Sequence, residues 1–184
     1  MERLIFQIEF NKSGSKSLAK ALNRLGIRTA HFTHRGKRLV DIMRKNRARK
    51  RPLLSGLEKY QALTDFSGRD FFEELDSQYP GSKFIVLLRD VESWLESRAR
   101  HVKRNQRIPW YHFDLQHVDK DGWRKMRDES LAKIESHFHG RSEDILFLNI
   151  CDGEGWETLC PYVEKPVPEI AFPHKNQSSI FRLF

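Results

Sequence analysis

Residues 4–25 of the chain read LIFQIEFNKSGSKSLAKALNRL, and this stretch decides the fold class. The apolar run at 4–10 predicts a buried strand, and the small residues and lysines at 11–17 predict a loop. The residues that follow have helical spacing, so we expect a helix over about 15–25 that ends with Gly26 as its C-cap. A strand that enters a helix through a short loop is typical of the first unit of a parallel α/β sheet.

The same alternation of apolar strands and amphipathic helices continues along the chain. Further strands are expected at 27–32, 60–66, 83–88 and 144–150. Helices are expected at 35–51, 68–79, 90–103 and 122–138. An irregular, aromatic-rich segment at 105–121 is expected to form a long surface or lid loop. The pattern predicts an α/β fold, a three-layer sandwich with a central parallel sheet of about five strands.

Length and composition indicate one globular domain. A chain of 184 residues buries enough surface to fold without a disulfide or a metal, and we expect a single domain over 1–184 with an extended, proline-containing tail from about 161. The two cysteines form no C-x-x-C pair, which predicts reduced thiols. No apolar run is long enough to cross a bilayer and the N-terminus has no signal-peptide pattern, so the expected location is cytoplasmic.

The positive charge of the chain is concentrated in one segment. Residues 35–51 contain nine Lys or Arg against the single acid Asp41, and this excess equals the net charge of +8 for the whole chain. One basic segment on a neutral body indicates a local anionic contact, such as an acidic acceptor, a phosphate group, a membrane surface or RNA. A solvated helix face is the alternative.

The loop at 12–17, KSGSKS, opens directly onto the first predicted helix. Backbone N–H groups and the positive helix end converge there, which is an arrangement that binds phosphate-like anions, and Gly14 lets the backbone approach the anion closely. The nucleotide-binding pattern G-x-x-x-x-G-K-[ST] fails at two positions, where Phe10 and Ser15 replace its glycines. The alternative is a plain strand-to-helix turn with serine as the N-cap.

A second candidate anion site follows the fourth predicted strand. Arg89 stands at the carboxyl end of that strand, and Ser97 lies eight residues later in the next helix. Ligands of open α/β sheets bind at the carboxyl ends of the strands, so Arg89 is expected to face the same crevice as the loop at 12–17. A surface ion pair between Arg89 and Asp90 and an ordinary helical serine are the alternatives.

With these two sites the sequence resembles the sulfotransferases that use 3′-phosphoadenosine 5′-phosphosulfate (PAPS). The loop at 12–17 looks like the family's 5′-phosphosulfate loop, and Arg89 with Ser97 matches the pair that holds the 3′-phosphate in that family. The small bacterial-type branch is the most similar. Its members look alike in the segments 25–26 (LG), 63–65 (LTD), 79–85 (YPGSKFI), 155–160 (GWETLC) and 172–176 (FPHKN).

The resemblance implies a P-loop NTPase-like fold and a transfer of the sulfuryl group from PAPS to a hydroxyl or amine, with adenosine 3′,5′-bisphosphate as product and no metal. Lys12 would be catalytic, on the bridging oxygen where negative charge develops. Arg89 and Ser97 would hold the 3′-phosphate, and Lys175 is the basic residue that would close over it. The backbone N–H groups that would hold the 5′-phosphosulfate are those of Ser13, Gly14, Ser15, Lys16 and Ser17.

The resemblance also implies a base that takes the proton of the acceptor, and two residues are candidates. Asp65 ends the third predicted strand and is the preferred base, with an N-cap role as its alternative. His31 ends the second strand and is the other candidate, with a structural role as its alternative. The expected acceptor is a small molecule, a lipid or a saccharide, with an anionic acceptor as one option. No nucleic-acid partner is expected.

Two other functions remain open from the sequence. A P-loop-type kinase or nucleotide-binding protein is disfavoured by the missing glycines, and Asp65 is its sole candidate Mg²⁺ ligand. A noncatalytic RNA- or anion-binding module would use the basic segment at 35–51, and its affinity would fall steeply with salt.

Overall fold

The structure, a computed structural model, describes residues 3–8, 10–105 and 117–174. Its strands are β1 Ile5–Gln7, β2 Thr29–His31, β3 Thr33–His34, β4 Lys37–Arg38, β5 Ala62–Thr64, β6 Lys83–Leu87 and β7 Ile145–Leu148. Its α-helices are α1 Ser15–Arg24, α2 Leu39–Ala48, α3 Phe72–Gln78, α4 Val91–Asn105, α5 Lys120–His137 and α6 Trp156–Tyr162. Two short 3-10 turns lie at Gly68–Asp70 and Ile150–Asp152.

Five of the strands form one parallel sheet in the order β2-β5-β1-β6-β7. Ile5 of β1 is in register with Ala62 of β5 on one side and with Lys83 of β6 on the other. Parallel neighbours must be joined by crossover connections, and the helices supply them. The predicted α/β fold with about five parallel strands is confirmed.

Helices cover both faces of this sheet. On one face, Leu22 of α1 and Leu159 of α6 are buried against the strands. On the other face, Met43 of α2, Leu75 of α3 and Ile134 of α5 are buried in a second cluster. The predicted three-layer sandwich is therefore confirmed, with one apolar cluster on each side of the sheet.

Helix α4 lies beyond the end of the sheet and packs on α5. Trp94, Leu95 and Val102 of α4 form a third apolar cluster with Trp123 of α5 and with Phe10, which follows β1. This cluster places α4 directly behind the loop at 12–17, so that a helix and a strand end support the same loop.

The predicted helix over 35–51 is wrong in its first turn. Residues 33–38 form the antiparallel pair β3–β4 instead, and α2 begins only at Leu39. Arg35 and Gly36 connect the two strands with φ angles of 48° and 75°. Positive φ at both central residues is what a tight type I′ hairpin turn requires, and it excludes a right-handed helix at these positions.

Two other boundaries differ from the prediction. The helix expected over 68–79 begins as the 3-10 turn Gly68–Asp70 and becomes α-helical only at Phe72. Helix α6 continues through Pro161 to Tyr162, so the described part of the extended tail begins at Val163. Proline lacks an N–H group, and in the last turn of a short helix its cost is confined to one hydrogen bond.

Within the predicted loop at 105–121, residues 106–116 lie outside the described residues.

Within the described ranges, no helix is both long and apolar enough to cross a membrane.

Candidate active site

The candidate site lies at the carboxyl edge of the sheet. After β1 the chain turns to one side of the sheet, toward β2 and β5, whereas after β6 it moves to the other side, toward β7. A crevice opens between two strands where the direction of winding reverses, and this is the usual ligand position in open α/β sheets. In this chain the strand order places that position between the loop after β1 and Arg89, which follows β6.

The loop after β1 holds a helix N-terminus open toward this crevice. Gly14 is the N-cap residue of α1, with φ of 108°, and none of the described side chains caps the helix. The hydroxyl of Ser13 donates to the carbonyl oxygen of Phe10 at 2.6 Å and fixes the curve of the loop. The first N–H groups of a helix have no intrahelical acceptor. A serine-capped turn is therefore not what forms. The N–H of Ser17 donates to the backbone oxygen of Gly14 at 2.9 Å, and the N–H groups before it are available to an anion.

Arg89 faces the loop. Its Nη1 donates to the backbone oxygen of Lys12 at 2.8 Å, while Nε and Nη2 donate to the hydroxyl of Ser93 at 3.1 and 2.8 Å. Asp90 makes a different contact, because its carboxylate accepts from the N–H of Ser93 and caps α4. The structure thus brings the two predicted anion sites together, and the alternative of an Arg89–Asp90 surface pair is wrong.

Ser93 is a site residue that the sequence analysis missed. The prediction selected Ser97, which lies half-buried one turn further along α4 on the same face. Ser93 is four residues after Arg89, but Arg89 precedes α4, so helical spacing gives no signal for this contact. The structure therefore assigns the direct hydrogen bond to Arg89 to Ser93.

Two further side chains of α4 fasten the loop from behind. The indole N–H of Trp94 donates to the backbone oxygen of Asn11 at 3.0 Å, and Nη1 of Arg98 donates to the side-chain oxygen of Asn11 at 3.1 Å. Arg98 is only 4% exposed, and its guanidinium lies over the rings of Trp94 and Trp123, 5.5 and 4.7 Å from their centroids. A buried cation directly behind an anion-binding loop adds positive potential to it.

Positive charge accumulates around Lys12. Burial, together with the nearby charges of Arg104, Lys16 and Arg89, lowers the pKa of the Lys12 ammonium. On α4, burial and the charges of Lys12 and Arg104 lower the pKa of His101 to about 4, so that this imidazole is neutral at pH 7. Cations that disfavour one another in this way are stabilised when an anion binds among them.

His31 and Asp65 come together at the ends of β2 and β5. The Nε2 atom of His31 lies 3.6 Å from Oδ2 of Asp65, and the two side chains are 23% and 29% exposed. Burial raises the pKa of the Asp65 carboxyl, against the opposing charges of His31, Lys16 and Lys12. Burial also lowers the pKa of His31. The two residues that the sequence offered as alternative bases are therefore one pair beside the two lysines of the loop.

Backbone strain is concentrated at the same edge. Lys12 after β1, Phe32 after β2, and Asp65 and Ser67 after β5 have φ angles between 57° and 69°. Left-handed backbone is uncommon for such residues, and it persists where the surroundings hold it in place. The N–H of Asp65, held by the side-chain oxygen of Gln7 at 2.8 Å, is one such restraint.

The basic segment at 35–51 is divided between the two edges of the sheet. Arg35 and Lys37 lie in the hairpin next to His31, at the carboxyl edge. Helix α2 then leads away from that edge. The N–H groups of Leu53 and Leu54, which follow α2, donate to side chains at the end of α3, and α3 ends at the amino edge just before β6. Arg44 and Arg47 of α2 pair with Asp70 and Glu74. The other exposed cations at the far end of the segment lie toward the amino edge; they are Lys45, Arg49, Lys50 and Arg51.

Lys175, the residue expected to close over the 3′-phosphate, lies outside the described residues. The part of the chain that is described contains no group of three His, Cys, Asp or Glu side chains placed to hold a metal ion. Cys151 approaches the site, with its thiol 3.9 Å from the backbone oxygen of Ser13, and burial raises the pKa of this thiol.

Comparison with known proteins identifies a family for the chain. A family model described as "Sulfotransferase domain" matches residues 5–143 and 109–181. The chain is also 25% identical over 144 residues to the "Ava biosynthesis cluster protein M" of Aspergillus versicolor, an alignment that covers 64% of the chain and 55% of that protein. The chain thus spans about half the length of this curated relative.

Proposed function

The chain belongs to the sulfotransferase domain family, and from that premise we propose that it transfers a sulfuryl group from PAPS to a hydroxyl or amine acceptor. One observation carries the proposal. The Arg89 guanidinium lies against the loop that holds the open N-terminus of α1, so that two anion-binding elements share one crevice. A donor with phosphate groups at both ends of one nucleoside needs two such elements, and the residues present fit it.

Each end of the donor has its own set of groups in this proposal. The N–H groups of Ser13–Lys16 and the helix end would hold the 5′-phosphosulfate, while the N–H of Ser17 donates to the backbone oxygen of Gly14. Arg89, with its fork of donors steadied by Ser93, would hold the 3′-phosphate, and Ser97 would add a hydroxyl from the same face of α4. When bound, PAPS supplies the sulfuryl group and leaves as adenosine 3′,5′-bisphosphate.

The residues around the reacting atoms have complementary tasks. Lys12 would place its ammonium where negative charge develops on the leaving side, and such preorganised charge is the main source of catalysis in this type of transfer. The Asp65–His31 pair would take the proton of the acceptor on the opposite side. Arg104 and Lys16 raise the positive potential at Lys12 and would favour a polyanionic donor over a neutral one.

The acceptor is proposed to be a small molecule. The printed name of the Aspergillus versicolor relative, a biosynthesis cluster protein, supports this choice. Arg35 and Lys37 stand in the hairpin beside His31, so an acceptor that carries a negative charge next to its reactive hydroxyl would be preferred. We also propose that the protein acts in the cytoplasm.

The test is transfer of labelled sulfuryl from PAPS to a panel of hydroxyl and amine acceptors in the presence of EDTA. We expect transfer without Mg²⁺, and Lys12→Ala is expected to lower the rate by about 100-fold or more, as loss of one preorganised positive group does elsewhere. Lys125→Ala, on the exposed face of α5, is the matched control and should leave the rate unchanged. Phosphoryl transfer from ATP that requires Mg²⁺ would support the kinase alternative instead.

A further inference from the structure

Thr64, the last residue of β5, contacts one of the two ring nitrogens of His31. Its side chain is fully buried. The hydroxyl donates to the backbone oxygen of Ala30 at 3.3 Å, and its oxygen lies 2.9 Å from Nδ1 of His31. The backbone oxygen of Ala30 can only accept, whereas an imidazole nitrogen accepts or donates according to the tautomer. When the hydroxyl proton is directed at Ala30, the hydroxyl oxygen accepts from His31, and Nδ1 then carries the ring proton.

The other ring nitrogen is sealed and faces Asp65. Nε2 of His31 has no solvent exposure and no hydrogen-bond partner among the described residues. A neutral imidazole with its proton on Nδ1 presents a lone pair at Nε2. Its distance of 3.6 Å from Oδ2 of Asp65 is longer than a hydrogen bond. In this tautomer, Nε2 of His31 and Oδ2 of Asp65 are both acceptors and face each other, and one proton placed between them would form a hydrogen bond.

We propose that Thr64 is a positioning residue, which holds His31 in the Nδ1–H form so that a proton collected by Asp65 is passed on to Nε2. Asp65 is the group that reaches the crevice, because its side chain is 29% exposed whereas Nε2 is sealed. The order of proton transfer is therefore from the acceptor to Asp65 and then to His31. This inference rests on the proposed function of the site.

The proton balance of the step is complete. A lone pair of the acceptor oxygen or nitrogen forms the new bond to sulfur, while the bond between sulfur and the bridging oxygen of PAPS breaks and its electron pair leaves with adenosine 3′,5′-bisphosphate. The O–H or N–H bond of the acceptor breaks, and its electron pair stays on the acceptor atom. The proton moves to Oδ2 of Asp65 and then to Nε2 of His31, which leaves an imidazolium next to a carboxylate. The imidazolium returns its proton to water through Asp65 once the product has left.

The charged groups around the pair favour this resting state. Lys16 of α1 faces both side chains, and Lys12 of the loop faces Asp65. These cations oppose a charged imidazole before the reaction and favour an ionised carboxyl at Asp65. Burial acts in the same direction on His31, whose pKa it lowers. The pair is thus ready to accept one proton.

The direct test is ¹⁵N NMR of histidine side chains in the full chain at neutral pH, with His31→Gln used to assign the His31 signals. We expect a protonated Nδ1 and an unprotonated Nε2 in the wild type and in Thr64→Ser. Thr64→Val, which keeps the shape but removes the hydroxyl, should shift the ring toward the Nε2–H form. A wild-type ring protonated at Nε2, or identical signals in Thr64→Val, would overturn the inference.

Kinetics give an independent readout. In the labelled-sulfuryl assay we expect Thr64→Val to lower kcat by about 10-fold or more with little change in KM for the donor, and Thr64→Ser to restore it to within about twofold. Equal kcat and equal pH profiles in both variants would contradict the positioning role. The NMR measurement needs neither donor nor acceptor, so the wild-type tautomer tests the inference even if no sulfuryl transfer is detected or if Thr64→Val fails to fold.

Discussion

For Asp65, the proposed base, burial favours the proposed catalytic role and costs stability. Asp65 lies at a left-handed backbone position, at the end of β5, and burial raises the pKa of its carboxyl above the ordinary value of 3.8. A base whose pKa is closer to neutral pH is more effective at removing a proton. The same burial means that the folded chain keeps this proton at pH values where the unfolded chain has released it. Ionised Asp65 therefore lowers the stability of the folded state.

This leads to a prediction with opposite effects on activity and stability. The pKa of Asp65 is higher in the folded chain than in the unfolded chain, where it has the ordinary value of 3.8. Binding of this proton therefore stabilises the fold fully below the unfolded pKa, and the stabilisation is lost as the pH rises through the folded pKa. Asp65→Asn should thus raise the melting temperature at pH 7 while lowering kcat by about 10² to 10⁴-fold. Thermal unfolding followed by circular dichroism and the sulfuryl-transfer assay check the two parts.

Asp128→Asn is the matched control for this substitution, because Asp128 is an exposed carboxylate on α5. We expect this control to change the melting temperature by no more than about one degree and to leave the rate of sulfuryl transfer unchanged. In the wild type, the rate should fall with decreasing pH through the raised pKa of Asp65. A rate that is independent of pH in the acidic range, or an unaltered rate in Asp65→Asn, would contradict the role of Asp65 as a base.

At the scale of single residues, the sequence predicted the charged groups of the site and missed their supports. Lys12 and Arg89 could be found because a loop before a helix and a strand end are visible in the pattern. Ser93 and Thr64 could not be found, because each acts through a hydrogen bond set by the orientation of a neighbouring side chain. The pairing of His31 with Asp65 depends on the strand order, which places β2 next to β5.

The loop and helix at 11–24 form the element on which the proposed anion binding depends. Gly14 has a φ of 108°, and the position that its Cβ would occupy is in ordinary contact with Ile150 at 3.6 Å. Space is therefore sufficient there, and the backbone angle is what demands glycine. Any side chain at this position would strain the turn or move the N–H groups of the loop.

Gly14→Ala should cost about 1–2 kcal/mol of stability and should weaken binding of adenosine 3′,5′-bisphosphate by at least about tenfold. Gly140→Ala is the matched control, because Gly140 has a φ of 75° with open space around it and lies at the turn after α5. The control should lose similar stability in urea denaturation but keep its affinity in calorimetry. Equal affinities in both variants would show that the loop does not bind the ligand.

Element boundaries were predictable where hydrophobic period alone decides them. The strongly apolar strand expected at 83–88 is observed as β6 Lys83–Leu87. The hairpin at 33–38 was missed because its formation depends on left-handed backbone at Arg35 and Gly36, and a dense run of cations carries no signal for such a turn. The 3-10 turn at Gly68–Asp70 was missed for a related reason: a Cβ on Gly68 would lie 2.6 Å from the Cα of Ile8, so tertiary contact sets this boundary.

For the molecule as a whole, the structure separates the site from most of its basic segment. Helix α2 has ten residues, so it is about 15 Å long, which exceeds the screening length of about 8 Å at physiological salt. Cations at its far end therefore contribute little to the potential at Lys12. The local excess of charge could not predict this division, which follows from the direction of α2 relative to the sheet.

A charge reversal tests this separation. Changing Arg49, Lys50 and Arg51 together to Glu should alter the Kd for adenosine 3′,5′-bisphosphate by less than about twofold at about 150 mM salt. The matched variant, with Arg35 and Lys37 changed to Glu, should lower the rate with anionic acceptors more than with neutral ones. Calorimetry and the transfer assay provide the two readouts. A large loss of donor affinity in the triple variant would indicate that the amino-edge cations take part in donor binding.

The most direct measurement of the central claim is the affinity of the wild type, Arg89→Lys and Arg100→Lys for adenosine 3′,5′-bisphosphate, AMP and ATP with Mg²⁺. We predict that the wild type prefers the bisphosphate and that a concentration of about 100 times Kd adds about 2.7 kcal/mol of stability. Arg89→Lys should lose most of the preference over AMP, because lysine lacks the guanidinium fork, whereas Arg100→Lys, on the exposed face of α4, should keep it. Equal affinity for bisphosphate and AMP in the wild type, or tighter binding of ATP with Mg²⁺, would contradict the account.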